Sequence, residues 1–250
     1  MLSCGCIDAG SSEPAAARTA ESSAGVTTVR EGFEETALEA TPDGWSVTGY
    51  GDRRLGVTSA VAARGAHSLR IDVASGQGAV VAMLTRGSLG ELALSHHGRM
   101  FVRIEGPGAS QFVHFDAFEG TGPWNGRNNS VRWASTGTGA GSEPRNWSWI
   151  YNVQPSADEE FGTEGDRSAH PRVDEWMCLE WAFDARAQEA RFWLDGLDID
   201  YLRLLESAGA RTEIPEFRTL SVGFQKFQPS DGFVVWLDEV AFDLERIGCD

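Results

Sequence analysis

From residue 29 onward, apolar side chains recur at every second position more often than at every third or fourth, which is the period of a strand. In Val234–Phe242, the alternate residues Val234, Trp236, Asp238, Val240 and Phe242 are expected to share one side. Leu179, Trp181 and Phe183 align in the same way against Cys178, Glu180 and Ala182. The short segment Asp184–Glu189 leads into Ala190–Leu194 and then Asp195-Gly196, which together predict a hairpin closed at its far end by a tight turn. Further strands are predicted over Ser68–Ala74, Ala79–Thr85, Arg99–Glu105, Gln111–Phe118, Val131–Ala134, Trp147–Val153 and Thr219–Phe227. Ile199–Ala208 is the one candidate helix, with Pro215 closing that region. Many short strands, Gly-rich turns and little helix predict an all-β fold, an antiparallel β-sandwich or jelly roll. No repeat at a spacing of about 20–50 residues points to a propeller or solenoid. No linker interrupts residues 29–250, so this span is expected to be one jelly-roll domain.

Residues 1–28 differ in kind. They are rich in Ala, Ser, Thr, Gly and Glu, and with so few large apolar groups they cannot offset their ordering entropy, which predicts a flexible tether. The stretch Leu2-Ser3-Cys4-Gly5 reads as the tail of a lipoprotein processing site with a lipid anchor on Cys4, or alternatively as an ordinary start with incidental cysteines. Nothing approaches the ~18 consecutive apolar residues of a membrane span. The 250-residue chain carries 37 acidic and 21 basic residues, for a formal charge of −16. That excludes a basic surface for nucleic acid or anionic membrane. Rossmann, P-loop and serine-hydrolase signatures are missing, so nucleotide and redox chemistry fall away. Cys178, in a strand, and Cys249, next to last, are either two buried thiols or a disulfide that staples the C-terminal strand, contributing about 4 kcal/mol. No feature asks for an oligomer, and a monomer is expected.

Among polar and aromatic residues, two groups suit carbohydrate. Trp124, Trp133, Trp147 and Trp149 mingle with Asn125, Asn128, Asn129 and Asn146, and aromatic faces stack on sugar rings while amides bridge hydroxyls. His114 with Asp116 on the same strand face would form an oriented imidazole. His96-His97 reads as a solvated pair in a polar turn, and Asp158-Glu159-Glu160 with Glu164 and Asp166 as an acidic loop. Arg99, Arg103, Arg127, Arg132 and Arg145 could supply local positive charge if they converge.

Four segments carry a family resemblance: Trp176-Met177-Cys178-Leu179-Glu180-Trp181, Phe192-Trp193-Leu194-Asp195-Gly196, Trp236-Leu237-Asp238-Glu239-Val240 and Arg246-Ile247-Gly248-Cys249. In this order they resemble bacterial relatives of the fungal cellulose-induced protein family, jelly rolls related to glucuronan and alginate lyases. Phe33-Glu34, Pro42-Asp43-Gly44-Trp45 and Gly65-Ala66-His67-Ser68-Leu69-Arg70 fit the opening strands. The resemblance implies an extracellular or cell-surface protein with a groove for polysaccharide. It also implies a structural Ca2+ held by Glu34 and Asp238, with the Arg64–His67 turn contributing. For β-elimination of a uronic-acid glycan it implies Arg103, Gln111, His114, Tyr151 and Lys226 as catalytic candidates, with Gln225 and Asp116 beside the substrate. Two departures stand out. Gln111 and His114 are three apart, where lyase relatives place such a pair two apart, and Phe227 stands where they often carry a proton-donating tyrosine. The rival reading is a non-catalytic carbohydrate-binding or adhesion module.

Overall fold

The computed structural model describes residues 26–76, 78–105, 113–137, 147–154, 160–161 and 169–250. Two antiparallel sheets face each other. Sheet A runs in the order β13 (Leu197–Asp198), β12 (Glu189–Leu194), β11 (Trp176–Asp184), β6 (Ser95–Glu105), β16 (Phe233–Asp243), β4 (Ser68–Val73), β3 (Arg53–Thr58). Strand β1 (Thr28–Glu31) adds to β16, and β14 (Leu204–Leu205) adds to β12. Sheet B runs β10 (Glu160–Phe161), β9 (Trp147–Gln154), β8 (Arg127–Gly137), β7 (His114–Trp124), β15 (Thr219–Lys226), β5 (Val80–Arg86), β2 (Ser46–Tyr50). This is the expected β-sandwich. The period-two pattern located the longer strands, while the short β1, β2, β3, β10, β13 and β14 were not among those predicted. Ile199–Ala208 is not a helix: two 3-10 turns, Asp200–Leu202 and Glu206–Ala208, flank the short strand β14.

Alternation places one side of each strand between the sheets, where burying apolar area drives the fold. Phe118, Trp133 and Tyr151 of sheet B meet Trp181, Phe183 and Phe192 of sheet A there, with Phe115 and Trp149 packed beside them in the core. Gly98 is required by this packing, because a Cβ at that position would lie 2.0 Å from the Trp181 ring. His96 is not in a polar turn. It lies inside the sandwich on β6, ringed by Phe118, Phe183, Phe217 and Phe242, and its Nδ1 sits 3.1 Å from the Leu92 carbonyl. Burial lowers its pKa to about 3, so the ring is neutral. Its neighbour His97 points to the other side of β6, with the Trp193 ring 6.4 Å away, and burial lowers its pKa too.

Along β16 the expected single face is broken. The register shifts between Asp238 and Ala241, and Glu239 adopts φ +51°. Trp236 and Asp238 therefore face outward, while Val240 and Phe242 belong to the core. Beyond β16 the C-terminal residues return across the outer face of sheet A. Arg246 stacks on Trp193 at 4.4 Å and donates to the Glu180 carboxylate at 2.7 Å, the Gly248 N–H donates to the same carboxylate, and Cys249 is disulfide-bonded to Cys178. The two sulfurs are thus not free thiols. Across 71 residues, the staple is worth about 4 kcal/mol through the entropy it removes from the unfolded chain.

Candidate functional site

The outer face of sheet B carries the polar side chains that the core rejects. Strand register sets a row across it: Ser46 pairs with Thr85, Thr85 with Ser221, Ser221 with Glu119, Glu119 with Arg132 and Arg132 with Asn152. A second row runs Tyr50, Val81, Gln225, Asp116. Register shifts between Asp116 and Phe118 on β7, and between Val222 and Gln225 on β15, lie side by side. They let Phe115 and Phe118 both turn inward while Asp116 and Glu119 both turn outward.

At the centre, the fully buried Asp116 carboxylate accepts a hydrogen bond from Gln225 Nε2 and lies 3.2 Å from Arg132 Nε. Its other oxygen faces His114 Nε2 at 3.5 Å. Arg132 also binds Glu119 at 2.8 Å, and Glu119 accepts from the Ser130 hydroxyl at 2.6 Å. Phe227 closes one flank: its ring meets His114 edge-on at 5.3 Å, and Arg132 lies 5.3 Å from the same ring. The backbone N–H of His114 donates to Gln228 Oε1. An imidazole beside a carboxylate can exchange a proton, and the guanidinium with the amide can hold oxygen atoms of a ligand.

The structure brings together His114, Asp116 and Gln225 with Arg132, one of the five arginines expected to supply positive charge. The other candidates lie elsewhere. Arg103 sits on sheet A, on its outer face, bonded to Glu105 at 2.8 Å; β6 puts it on the opposite layer from His114. Lys226 pairs with Phe115 on the inward side, donates to the Ser230 hydroxyl, and has its pKa lowered by burial. Tyr151 is buried among Phe183 and Phe192, donates to the Thr212 carbonyl, and has its pKa pushed well up by burial, so it cannot reach a ligand on the outer face. Trp133, Trp147 and Trp149 are core residues with no face free for sugar. Trp124 ends β7 half-buried, beside the Asn125-Gly126 turn whose residues have φ of +46° and +81°. Arg99 is on sheet A beside Glu239, and Arg127 pairs with Glu213 at the edge. Gln111, Arg145, the acidic segment at 158–166 and Cys4 fall outside the described residues, save the backbone of Glu160. Glu119 was not singled out in the sequence, yet it was detectable there, since it follows the large inward Phe118.

Glu34 and Asp238 grip one loop from two sides. Glu34 Oε1 accepts the Ala66 and His67 N–H groups, and these bonds lower its pKa; Asp238 Oδ2 accepts those of Ala63 and Arg64. Between them Gly65 has φ +63°, and a Cβ there would fall 2.1 Å from Glu34 Oε1. Asp238 is fully buried, makes no ion pair among the described residues, and is driven by burial to a pKa of about 6. A buried carboxylate lacking a counter-charge suits a hard cation chemically, although its oxygens already accept the N–H groups of Ala63, Arg64 and Glu239.

No family model and no curated sequence matches the chain. Solved structures share its fold. The cellulose induced protein Cip1 superposes with a TM-score of 0.62 at 15% sequence identity, covering 89% of this chain and 100% of that one. The alginate lyase Aly36B follows with a TM-score of 0.54 at 12% identity, covering 90% and 99%. The protein is thus a jelly roll of the architecture seen in these two proteins. At such identities the shared property is the fold.

Proposed function

We propose that this protein binds a polysaccharide chain along the outer face of sheet B, outside the cytoplasm. The observation that carries the reading is the polar row from Ser46 to Asn152, crossing six strands beside the His114–Asp116–Arg132–Gln225 cluster. A continuous band of hydroxyls, amides and charges matches the repeating hydroxyls of a sugar chain. The architecture shared with a cellulose induced protein and an alginate lyase supports it. The Cys178–Cys249 disulfide supports export to an oxidising compartment. A lipid anchor at Cys4 and a monomeric state belong to the same proposal.

The His114–Asp116 contact favours one second reading, β-elimination of a uronic-acid glycan with His114 as the base. That chemistry also needs an acid for the leaving oxygen. Tyr151 is locked inside the sandwich and Phe227 has no proton to give, so binding without cleavage is the better account.

Affinity electrophoresis in gels containing neutral and acidic polysaccharides tests binding, with absorbance of the unsaturated product reporting cleavage of alginate and glucuronan. Retardation without product is expected. Product that disappears in His114→Ala would establish the lyase, and no retardation by any polymer would defeat both readings. We also place Ca2+ at Glu34 and Asp238 in this proposal. Melting the same samples with added calcium or a chelator should show a higher Tm with calcium, an increment lost in Glu34→Gln. An unchanged melt removes the ion.

A further inference from the structure

Exposure across the outer face of sheet B is uneven. Asp116, Gln225 and Asn152 at its centre are buried, whereas Ser46, Thr48 and Tyr50 on the edge strand β2 are exposed. Tyr50 is an exposed aromatic on this face, with 53% of its surface open to solvent, whereas Phe227 beside the cluster is half-buried. Its side is fixed by alternation: Thr48, two residues earlier, bonds Thr85, which bonds Ser221, all on the outer face. Among the described residues its hydroxyl makes no hydrogen bond. An exposed aromatic ring at the edge of a polar face has the chemistry of a sugar platform, an apolar face with a polar tip.

The register also sets distance and charge. Tyr50, Val81, Gln225 and Asp116 are successive partners, so Tyr50 lies three strand spacings, roughly 14 Å, from the cluster at Asp116. A ligand touching both must be a chain of several rings running across the strands. On this face, among the described residues, Asp116 and Glu119 share the single guanidinium of Arg132. Of the other cations considered, Arg99 and Arg103 lie on sheet A, Lys226 points inward and Arg127 pairs with Glu213 at the edge, while Arg145 is outside the described residues. Two carboxylates set against one guanidinium and the His114 imidazole leave no surplus of positive charge for a polyanion, on a chain of net charge −16, and like charges repel.

We propose that Tyr50 is a distal stacking subsite and that the chain it holds is uncharged, a neutral hexose or pentose polymer rather than a polyuronate. This rests on the polysaccharide-binding reading and names its substrate class.

Calorimetric titration of the full chain tests it. The probes are β-1,4-linked gluco-, manno- and xylo-hexasaccharides, their disaccharides, and an alginate hexasaccharide. At least one neutral hexasaccharide should bind more tightly than the alginate one. Tyr50→Ala should weaken it about three- to tenfold, with the disaccharide unaffected, while Tyr50→Phe, which keeps the ring, should bind like the parent. Equal hexasaccharide affinity in Tyr50→Ala overturns the subsite while leaving the binding reading intact. Tighter binding of the alginate hexasaccharide overturns the neutral-chain assignment. Absence of heat with every sugar overturns this inference and the reading beneath it together.

Discussion

The two sides of strand β9 differ as much as any two regions of this protein. Trp147, Trp149, Tyr151 and Val153 point between the sheets, packed against Phe115, Trp133 and Phe192. Ser148, Ile150, Asn152 and Gln154 point away from them, and Asn152 extends the polar row begun at Ser46. The residues with the richest apparent sugar chemistry, indoles and a phenol, are the ones that hold the layers together. The plainer polar residues between them form the surface a ligand could meet. In a sandwich, large aromatics serve burial first, so the side of the strand decides what a residue can do.

That contrast can be broken by experiment. The largest effect belongs to the inward side: Trp149→Ala should cost about 4 kcal/mol, read from chemical denaturation, because the cavity cannot collapse against its rigid neighbours. Sugar affinity of the folded fraction should stay unchanged. An intermediate effect comes from pH. His96 is neutral when folded, with a pKa of about 3, against about 6.5 when unfolded. The unfolded chain therefore binds the extra proton as pH falls below 6.5, and stability is lost progressively from there down toward 3. Between pH 6.5 and 4.5 the loss from this group should reach about 2 to 3 kcal/mol. His96→Met should flatten the pH dependence by that amount relative to the parent, and an identical slope would show that the ring is not buried neutral. The smallest effect belongs to the outward side. Thr85→Val removes the bonds to Thr48 and Ser221 and should cost under about 1 kcal/mol, yet weaken polysaccharide retention.

Much of the architecture was legible because the period of two survives in the central strands. Leu179, Trp181 and Phe183 face the core as their alternation requires, and Asp195-Gly196 turns the chain with φ of +51° and +79°. The short edge strand β2 buries little on either side and β3 offers the core only Leu55 and Val57, so their pattern is weak. The site was harder to read for a different reason. Bulges on β7 and β16 shift parity by one, and the sequence before such a shift gives no sign of it. His114, Asp116 and Gln225 were found because they lie within one local stretch each. Arg103 was misplaced because its strand belongs to the other layer, a long-range fact that neighbouring residues do not encode. On β9, parity alone would have excluded Tyr151, since it shares the side of Trp149.

The bridge between Cys178 and Cys249 turns the last third of the protein into a closed covalent ring containing β12, β15 and β16. A protease that cuts one peptide bond anywhere inside that ring does not divide the molecule. The nicked form stays in one piece until a reductant is added, so proteolytic wear at its surface turns would leave the two halves still joined.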